Sequence, residues 1–348
     1  MNVLVTGSSG LVGSEAVEHF DRHGHRVWGI DNNMRREFFG AAGDTAWNLR
    51  RLVSVTRAFE HLDVDIRDRA RIDDLFKAHR FDLVVHCAAQ PSHDRAATIP
   101  LADFEVNAVG TITLLEAARQ HCADAPFVYM STNKVYGDAP NEIPLVELDT
   151  RYDYARPEDF HGVSEECRLD RSLHSLFGAS KAAGDLVAQE YGRYYGMPVG
   201  IFRAGCVTGP SHSGVELHGF LSYLVKVVVA GQPYTVYGYK GKQVRDQIHS
   251  TDAVRAFEAF ARRPRAGEPY NLGGGRDNSA SVLESIALVE EAAGKKLRWH
   301  YDEANRRGDH MCYVSDLRKL GAHYPEWTIT RALPDIVKEM VEAERARG

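Results

Sequence analysis

With 348 residues, 44% of them hydrophobic and 26% charged, the chain has an ordinary globular composition that argues against disorder or a membrane span, and it is long enough for one large α/β domain or a large and a small one. A formal net charge of -6 gives no general attraction for nucleic acid, so any anion site has to be built locally. The five cysteines, Cys87, Cys122, Cys167, Cys206 and Cys312, show no Cys-x-x-Cys and no metal-ligand spacing, and their odd number speaks against a disulfide framework, which suits a reducing cytoplasm and no metal.

The first element is a short β-branched run, Asn2 to Thr6, which ends in Gly7-Ser8-Ser9-Gly10-Leu11-Val12-Gly13 and an amphipathic stretch through Phe20. That is strand, glycine turn and helix. Glycines let a backbone approach a pyrophosphate closely, and a helix N-terminus offers it unpaired N–H groups and the positive end of a dipole. A second strand, Arg26 to Ile30, ends in Asp31-Asn32, where an acidic side chain hydrogen-bonds a ribose 2′-OH and repels a 2′-phosphate. The pattern predicts an NAD site over Gly7, Ser9, Gly10, Leu11, Val12, Gly13, Asp31 and Asn32, while Arg35 and Arg36 stand where they can meet a phosphate instead. The Val3-Leu4-Val5 run is too short for a signal peptide's apolar core, and the expected location is cytoplasmic.

Residues 40–56 show no clear period. The stretch His61 to Asp68 reads as a third strand, with Asp65 and Ile66 placed to bracket an adenine, before an acid-capped helix over Arg69 to Ala78. The fourth strand, Asp82 to His86, is nearly all apolar, as a parallel strand buried on both faces is, and it ends in Cys87-Ala88-Ala89-Gln90, whose small residues admit a cofactor. Asn107 interrupts a long helix, Leu101 to His121. Strand five, Phe127 to Met130, delivers Ser131-Thr132-Asn133-Lys134-Val135-Tyr136-Gly137-Asp138. A hydroxyl at the carboxyl end of a parallel strand lies where open α/β sheets bind ligands, so Thr132 is a candidate for bonding a reacting hydroxyl.

Phe177 then stands one helical turn before Lys181. Were it tyrosine, the ammonium would lower the phenol's pKa so that phenolate could take a proton from a sugar or alcohol hydroxyl. Phenylalanine does no proton chemistry. After a sixth strand, Pro198 to Arg203, Ala204 opens a loop past the cofactor. The substrate pieces are the helix Gly219 to Ala230, the strand Tyr234 to Tyr237, Gln243-Val244-Arg245-Asp246 and Arg306-Arg307-Gly308-Asp309, whose arginine forks suit a diphosphate. Asp252 is expected to cap a helix over Ala253 to Ala261.

The glycine motif, Asp31, the Asp65-Ile66 pair, Ala88-Ala89, Asn107, the Thr132 strand and the aromatic-x-x-x-Lys helix occur in the order of the extended short-chain dehydrogenase/reductase superfamily, which the chain resembles over essentially its whole length. Within it, Ser-Thr-Asn-Lys-Val-Tyr-Gly-Asp together with Gly-Lys-Gln-Val-Arg-Asp at 241–246 resembles the CDP-paratose 2-epimerases. The resemblance implies an α/β fold, with a Rossmann-type doubly wound parallel sheet over residues 1–200 and returning segments about 241–262. A smaller, mixed α/β substrate domain would occupy most of 201–348. It adds Arg35, Asp65, Ile66, Cys87, Ala88, Ala89, Gln90, Asn107, Lys181 and Ala204 to the NAD site. The implied reaction takes hydride from a sugar carbon, C2 in those epimerases, turns the keto intermediate and returns hydride to its other face.

Carried over residue by residue, Thr132 orients the sugar hydroxyl, Lys181 holds the nicotinamide ribose and position 177 is that of the base. Asn133, Tyr237, Gln243, Arg245 and Arg307 would meet a CDP- or UDP-sugar, the two arginines as a diphosphate clamp. Asn133 and Lys134 stand where sugar 4,6-dehydratases of the superfamily carry an Asp-Glu acid and base pair, which argues against a dehydratase. Relatives pair through the helices after Asn107 and around Lys181, so a homodimer or homotetramer is implied. Three readings of Phe177 stay open: it was engineered from tyrosine to trap substrate; it is natural and the proton goes to Thr132 relayed to Lys181, to Tyr136 or to His174; or the chain binds NAD or a nucleotide sugar without catalysis. Within the enzyme class, a UDP-sugar 4-epimerase is the nearest rival.

Overall fold

In the computed structural model, which describes residues 1–216, 218–304 and 309–347, the strands β1 (Asn2–Thr6), β2 (Arg26–Ile30), β3 (Phe59–Leu62), β4 (Leu83–His86) and β5 (Phe127–Thr132) join Val199–Ala204 and Glu268–Leu272 in one seven-stranded sheet. All neighbours in it run parallel. From one edge the order is Glu268–Leu272, Val199–Ala204, β5, β4, β1, β2, β3. β1 therefore has β2 on one side and β4 on the other, with Val3 in register with both Val27 and Leu83. The strand order reverses there, and in open α/β sheets the ligand crevice lies outside the carboxyl ends of the strands at such a point.

The apolar runs of the sequence follow from burial on both faces. Successive side chains of a strand point to opposite faces. Val3 and Val5 pack with Ala16, Val17 and Phe20 of helix α1 (Leu11–Arg22) and with Phe257 and Phe260 of the helix Ser250–Arg262. Leu4 packs on the opposite side with Leu114, Leu115 and Ala118. A separate core joins the helices Phe220–Ala230, Val282–Ala293 and Leu333–Arg347 through Leu224, Val228, Val289, Ile336 and Val337. Beside it, Tyr234–Tyr237 pairs in parallel with Trp299–Asp302. Val244–His249 pairs with Ser279–Ser281, Cys312–Tyr313 and Cys206–Thr208, and then leads directly into the helix Ser250–Arg262 on the main sheet.

Three local expectations change. β3 ends at Leu62, so Asp63 to Asp65 are irregular and Ile66-Arg67 form a turn, not strand; as the sheet's edge, β3 is only half-buried and lacks an apolar alternation to mark its limits. The segment after Ala204 holds a short strand, Cys206–Thr208, because Val244–His249 offers it a free edge. Asp252 lies inside the first turn of its helix, where His249 Nδ1 accepts the Thr251 N–H at 3.1 Å. The Asp252 carboxylate accepts from the Thr330 hydroxyl at 2.6 Å and the Thr330 N–H at 2.9 Å, which moors the chain leading to the last helix. No helix among the described residues is long and apolar enough to cross a membrane.

The central strands and the long helix Leu176–Tyr195 are joined by one buried ion pair. Arg203 donates to Asp185 through Nε at 3.0 Å and Nη2 at 2.9 Å, with side-chain exposures of 3% and 0%. The Ser131 hydroxyl and the Gln189 amide satisfy the carboxylate further, at 2.6 and 2.7 Å. Removing one partner of such a pair leaves a buried uncompensated charge, so Arg203→Ala should destabilise the fold by about 3–5 kcal/mol. Urea unfolding measures it: the midpoint should fall steeply, and an unchanged midpoint would mean that the pair is not holding strand and helix together.

Candidate active site

The carboxyl ends of the parallel strands open into a cavity of about 500 Å³ that runs from the glycine turn across Thr132 and Lys181 to Tyr237 and Arg245. Its first end is built by the turn between β1 and α1. Gly7 holds φ at +66°, and a Cβ there would lie 2.8 Å from the Ala88 nitrogen, so the two loops meet with no room for a side chain. A Cβ on Gly13 would lie 2.0 Å from the Gly7 carbonyl oxygen. Gly10, which precedes α1, makes no side-chain cap, and Gly10, Leu11, Val12 and Gly13 line the cavity. An uncapped helix start beside a glycine cradle offers N–H groups and a positive dipole end to a phosphate.

Asp31 lies at the end of β2 and lines the same space. Its carboxylate accepts the Ser9 N–H at 3.0 Å and the Asn33 N–H at 2.7 Å, while burial pushes its pKa above the ordinary carboxylate value. Asn32 lines the cavity too and reaches Asp65 at 3.2 Å. The arginines that could have met a phosphate are engaged elsewhere. Arg35 lines the cavity but donates to the Ser213 carbonyl at 2.7 Å, and Arg36 lies 3.6 Å from Asp44. Asp65, Ile66, Cys87, Ala88, Ala89 and Ala204 all line the cavity, and Ile66 fits because Gly110, opposite it, has no Cβ. The cradle, the helix start and the acidic strand end together fit a dinucleotide.

Ser9, Gln90 and Asn107 do not line it; they hold the parts that do. Ser9 gives its N–H to Asp31, and its carbonyl accepts from Asn48 at 2.9 Å. Asn107 sits in a π-helical turn, Glu105–Val109, between the helices Pro100–Phe104 and Gly110–His121. Its carboxamide accepts the Gln90 N–H at 3.0 Å and donates to the Gln90 carbonyl, Asp103 and Ser180 at 3.1, 3.0 and 3.1 Å. Asp103 also accepts from Gln90 at 2.6 Å and from the Ser180 hydroxyl at 2.5 Å. The loop after β4 is thereby tied to the residue just before Lys181.

Thr132 ends β5 inside the cavity, where its hydroxyl oxygen accepts the Lys134 N–H at 3.3 Å. Phe177 and Lys181 line the same wall, 8% and 4% exposed. Lys181 Nζ donates to the Met130 carbonyl at 2.7 Å and lies 4.4 Å from the centre of the Tyr129 ring. Burial pushes its pKa down to about 8. Neither of the other proposed proton acceptors lines the cavity. Tyr136 is buried, donates to Asn271 at 2.7 Å and faces Arg203 at 3.3 Å. The His174 ring nitrogens both face carbonyl oxygens, of Ser172 at 3.0 Å and Val135 at 2.7 Å.

At the far end, Arg245 is not a free fork. Its Nη2 donates to Asp309 at 2.6 Å, and Lys134 Nζ donates to the same oxygen at 3.0 Å. Burial alone would raise the Asp309 pKa, but Arg245 and Lys134 hold it well below the ordinary value. Tyr237, Gln243 and Asn133 line the cavity, with Gln243 donating to the Tyr237 carbonyl at 2.9 Å. Arg307, the other half of the expected clamp, lies outside the described residues, as does Arg306. The sequence reading named Asp309 only as the end of the Arg306-Arg307-Gly308-Asp309 string, without a role of its own, and missed His93. His93 lines the cavity, with Nδ1 3.4 Å from Asp94 and its Nε2 sealed from solvent without a hydrogen-bond partner among the described residues. Two cations converging on one wall were the available sign of the first; no pattern marked the second.

The chain matches the NAD dependent epimerase/dehydratase family over residues 3–273. It is 30% identical to the CDP-paratose 2-epimerase of Salmonella typhi, over 98% of each chain. It is 31% identical to dTDP-glucose 4,6-dehydratase 1 of Escherichia coli strain K12, over 92% of this chain and 86% of that one. The solved UDP-glucose 4-epimerase of Thermus thermophilus, in complex with NAD, superposes with a TM-score of 0.77 at 27% identity over 100% of both chains. This chain belongs to the NAD dependent epimerase/dehydratase family, and its cofactor is NAD.

Proposed function

We propose that the protein epimerises a nucleotide-diphosphate sugar by transient oxidation, most closely at C2 of a CDP-sugar. The observation that carries the choice of epimerase over dehydratase is the pair that follows Thr132, an amide and an ammonium, Asn133 and Lys134. Elimination of water needs a proton donor and an acceptor at the sugar ring. Here Lys134 is ion-paired with Asp309, so neither residue offers that pair. Full-length similarity to a CDP-paratose 2-epimerase supports the CDP-sugar reading, and the epimerase in complex with NAD supports a UDP-sugar 4-epimerase as the second one.

NAD, when bound, supplies reversible acceptance of hydride from a sugar carbon. In this reading the glycine turn and α1 hold its diphosphate, Asp31 its adenosine ribose and Lys181 its nicotinamide ribose. Thr132 orients the sugar hydroxyl at the end of β5. Phe177 closes the wall as an apolar surface and excludes water without taking a proton. Arg245 and Lys134 together exceed the single charge of Asp309, leaving a net positive end suited to a diphosphate. Residues 1–200 would carry mainly the cofactor and 201–348 mainly the sugar nucleotide. The helices on either side of Asn107 and around Lys181 also carry exposed Leu101, Phe104, Ile112, Leu186 and Tyr194, an apolar surface suited to a second copy of this chain.

Incubation with CDP- and UDP-sugars, followed by NMR of the sugar stereocentres, tests the reading. Inversion at C2 of a CDP-sugar is expected, and Phe177→Tyr should raise the rate by roughly 10²- to 10⁴-fold, the usual worth of a positioned general base. No inversion at C2 or C4 by either protein would overturn it. Light scattering should report a dimer or tetramer that Leu101→Glu with Leu186→Glu converts to a monomer of unchanged melting temperature; a monomeric parent protein would rule out the pairing.

A further inference from the structure

The cysteines show no metal-ligand spacing, but two histidines do. His19 and His23 stand four residues apart at the end of α1, so their side chains share one face of the helix, with ring centres 4.4 Å apart. From the helix Ser250–Arg262, which packs against α1, Glu258 turns its Oε2 to His19 Nε2 at 3.0 Å. One nitrogen of each ring and one oxygen of the carboxylate all lie within 4.8 Å of one another. The absence of a metal, expected from the cysteines, therefore does not follow from the histidines.

The remaining atoms of these side chains are held in ways that suit ligands. His23 Nδ1 lies 2.7 Å from the His19 carbonyl oxygen, which can only accept, so in the neutral ring Nδ1 keeps the proton and Nε2 carries the lone pair. A metal-bound histidine commonly has its second nitrogen held by a carbonyl or a carboxylate in this way. Glu258 Oε1 accepts from Arg262 at 2.6 Å, which fixes the carboxylate and leaves Oε2 toward His19. The carboxylates of α1 itself are engaged elsewhere. Glu15 accepts from Ser250 and Thr251 at 3.2 and 3.0 Å, and Glu18 pairs with Arg22 and Arg51 at 3.1 and 2.5 Å. The side chains of His19 and Glu258 are 11% and 20% exposed, while His23 stands at the surface, where an ion can enter.

We propose that His19, His23 and Glu258 bind one divalent transition-metal ion of the zinc class, at a site separate from the cavity. Two imidazoles and a carboxylate suit zinc, cobalt or nickel, whereas magnesium and calcium favour oxygen ligands throughout. Ligand atoms held about 2.0–2.2 Å from a tetrahedral zinc lie about 3.3–3.6 Å from one another. The edge from His19 to Glu258, at 3.0 Å, is thus close to that spacing, and the other edges close from no more than 4.8 Å. The ion replaces the proton between His19 Nε2 and Glu258 Oε2, which passes to solvent, and a water takes the fourth position. The last carbonyls of α1 place the negative end of its dipole beside the site, which favours a cation there.

Such an ion staples two helices that lead to the two ends of the cavity. α1 starts at the glycine turn and ends at the cluster, and the helix Ser250–Arg262 continues directly from Val244–His249, the strand of Arg245. Ala16, Val17 and Phe20 of the first pack with Phe257 and Phe260 of the second. A ligand set drawn from both helices exists only in the folded chain, so binding stabilises the fold by mass action. None of the three residues lines the cavity, so the ion serves the packing of the helices and takes no part in hydride transfer.

Calorimetric titration of the NAD-loaded protein, without a histidine tag, with zinc chloride tests the proposal. One zinc per chain should bind at micromolar concentration, and roughly a hundredfold excess over Kd should raise the melting temperature by roughly 5 °C. Magnesium and calcium should produce no shift. Glu258→Gln, and His23→Gln at its exposed position, should each weaken binding at least about 10-fold. His25→Gln should leave binding unchanged, since His25 Nδ1 faces the amino terminus at 3.5 Å. Cobalt(II) should give the visible spectrum of a tetrahedral site without a thiolate charge-transfer band, which separates this ligand set from the cysteines. No zinc binding at that concentration, a thiolate band, binding that survives both Glu258→Gln and His23→Gln, or a loss in His25→Gln as deep as in His23→Gln would each overturn the proposal.

Discussion

The geometry of the site depends on a buried polar cluster that fixes the helix Leu176–Tyr195 against the sheet. One half is the Asp185–Arg203 pair, which ties the helix to the strand Val199–Ala204 and, through Ser131, to β5. The other is the Asn107 carboxamide, which ties the loop after β4 to Ser180 through a single side chain. Both are nearly free of solvent, where a satisfied network is rigid and a half-satisfied one is costly. The π-helical turn at Glu105–Val109 is what lets Asn107 turn its carboxamide toward Gln90 and Ser180.

That constraint has an electrostatic consequence one residue away. By occupying Asp103 and Asp185 with other donors, the cluster leaves Lys181 buried beside two carboxylates with which it forms no ion pair. A lysine in that state is easier to deprotonate than one in solution, and its neighbour across the turn is a phenylalanine. At the far end of the cavity Asp309 accepts from both Arg245 and Lys134, and there burial pushes the Lys134 pKa down against the pull of that carboxylate.

The sequence carried much of this and concealed the rest for identifiable reasons. β1, the glycine turn and α1 were legible because a strand buried on both faces, a backbone without side chains and an amphipathic helix each leave a mark in composition. β3 was misplaced because an edge strand is half-buried and has no apolar alternation to bound it. Asn107 was visible as an interruption of its helix, but its partners Gln90, Asp103 and Ser180 are a matter of packing. The arginine clamp was legible as charge only: Asp309 stands in the same string as Arg306 and Arg307, yet nothing local says that it turns back onto Arg245. Phe177 was the plainest departure in the chain, and its meaning depends on contacts of Lys181 that no spacing encodes.

The central claim is that this site oxidises a sugar hydroxyl without a phenol. The most direct measurement mixes the NAD-loaded protein with a CDP-sugar in a single turnover and follows the near-ultraviolet absorbance of reduced nicotinamide at several pH values. The account predicts a transient rise that then decays as the sugar is reduced again. Absence of any reduced nicotinamide across that pH range, with sugar nucleotide demonstrably bound, would contradict it.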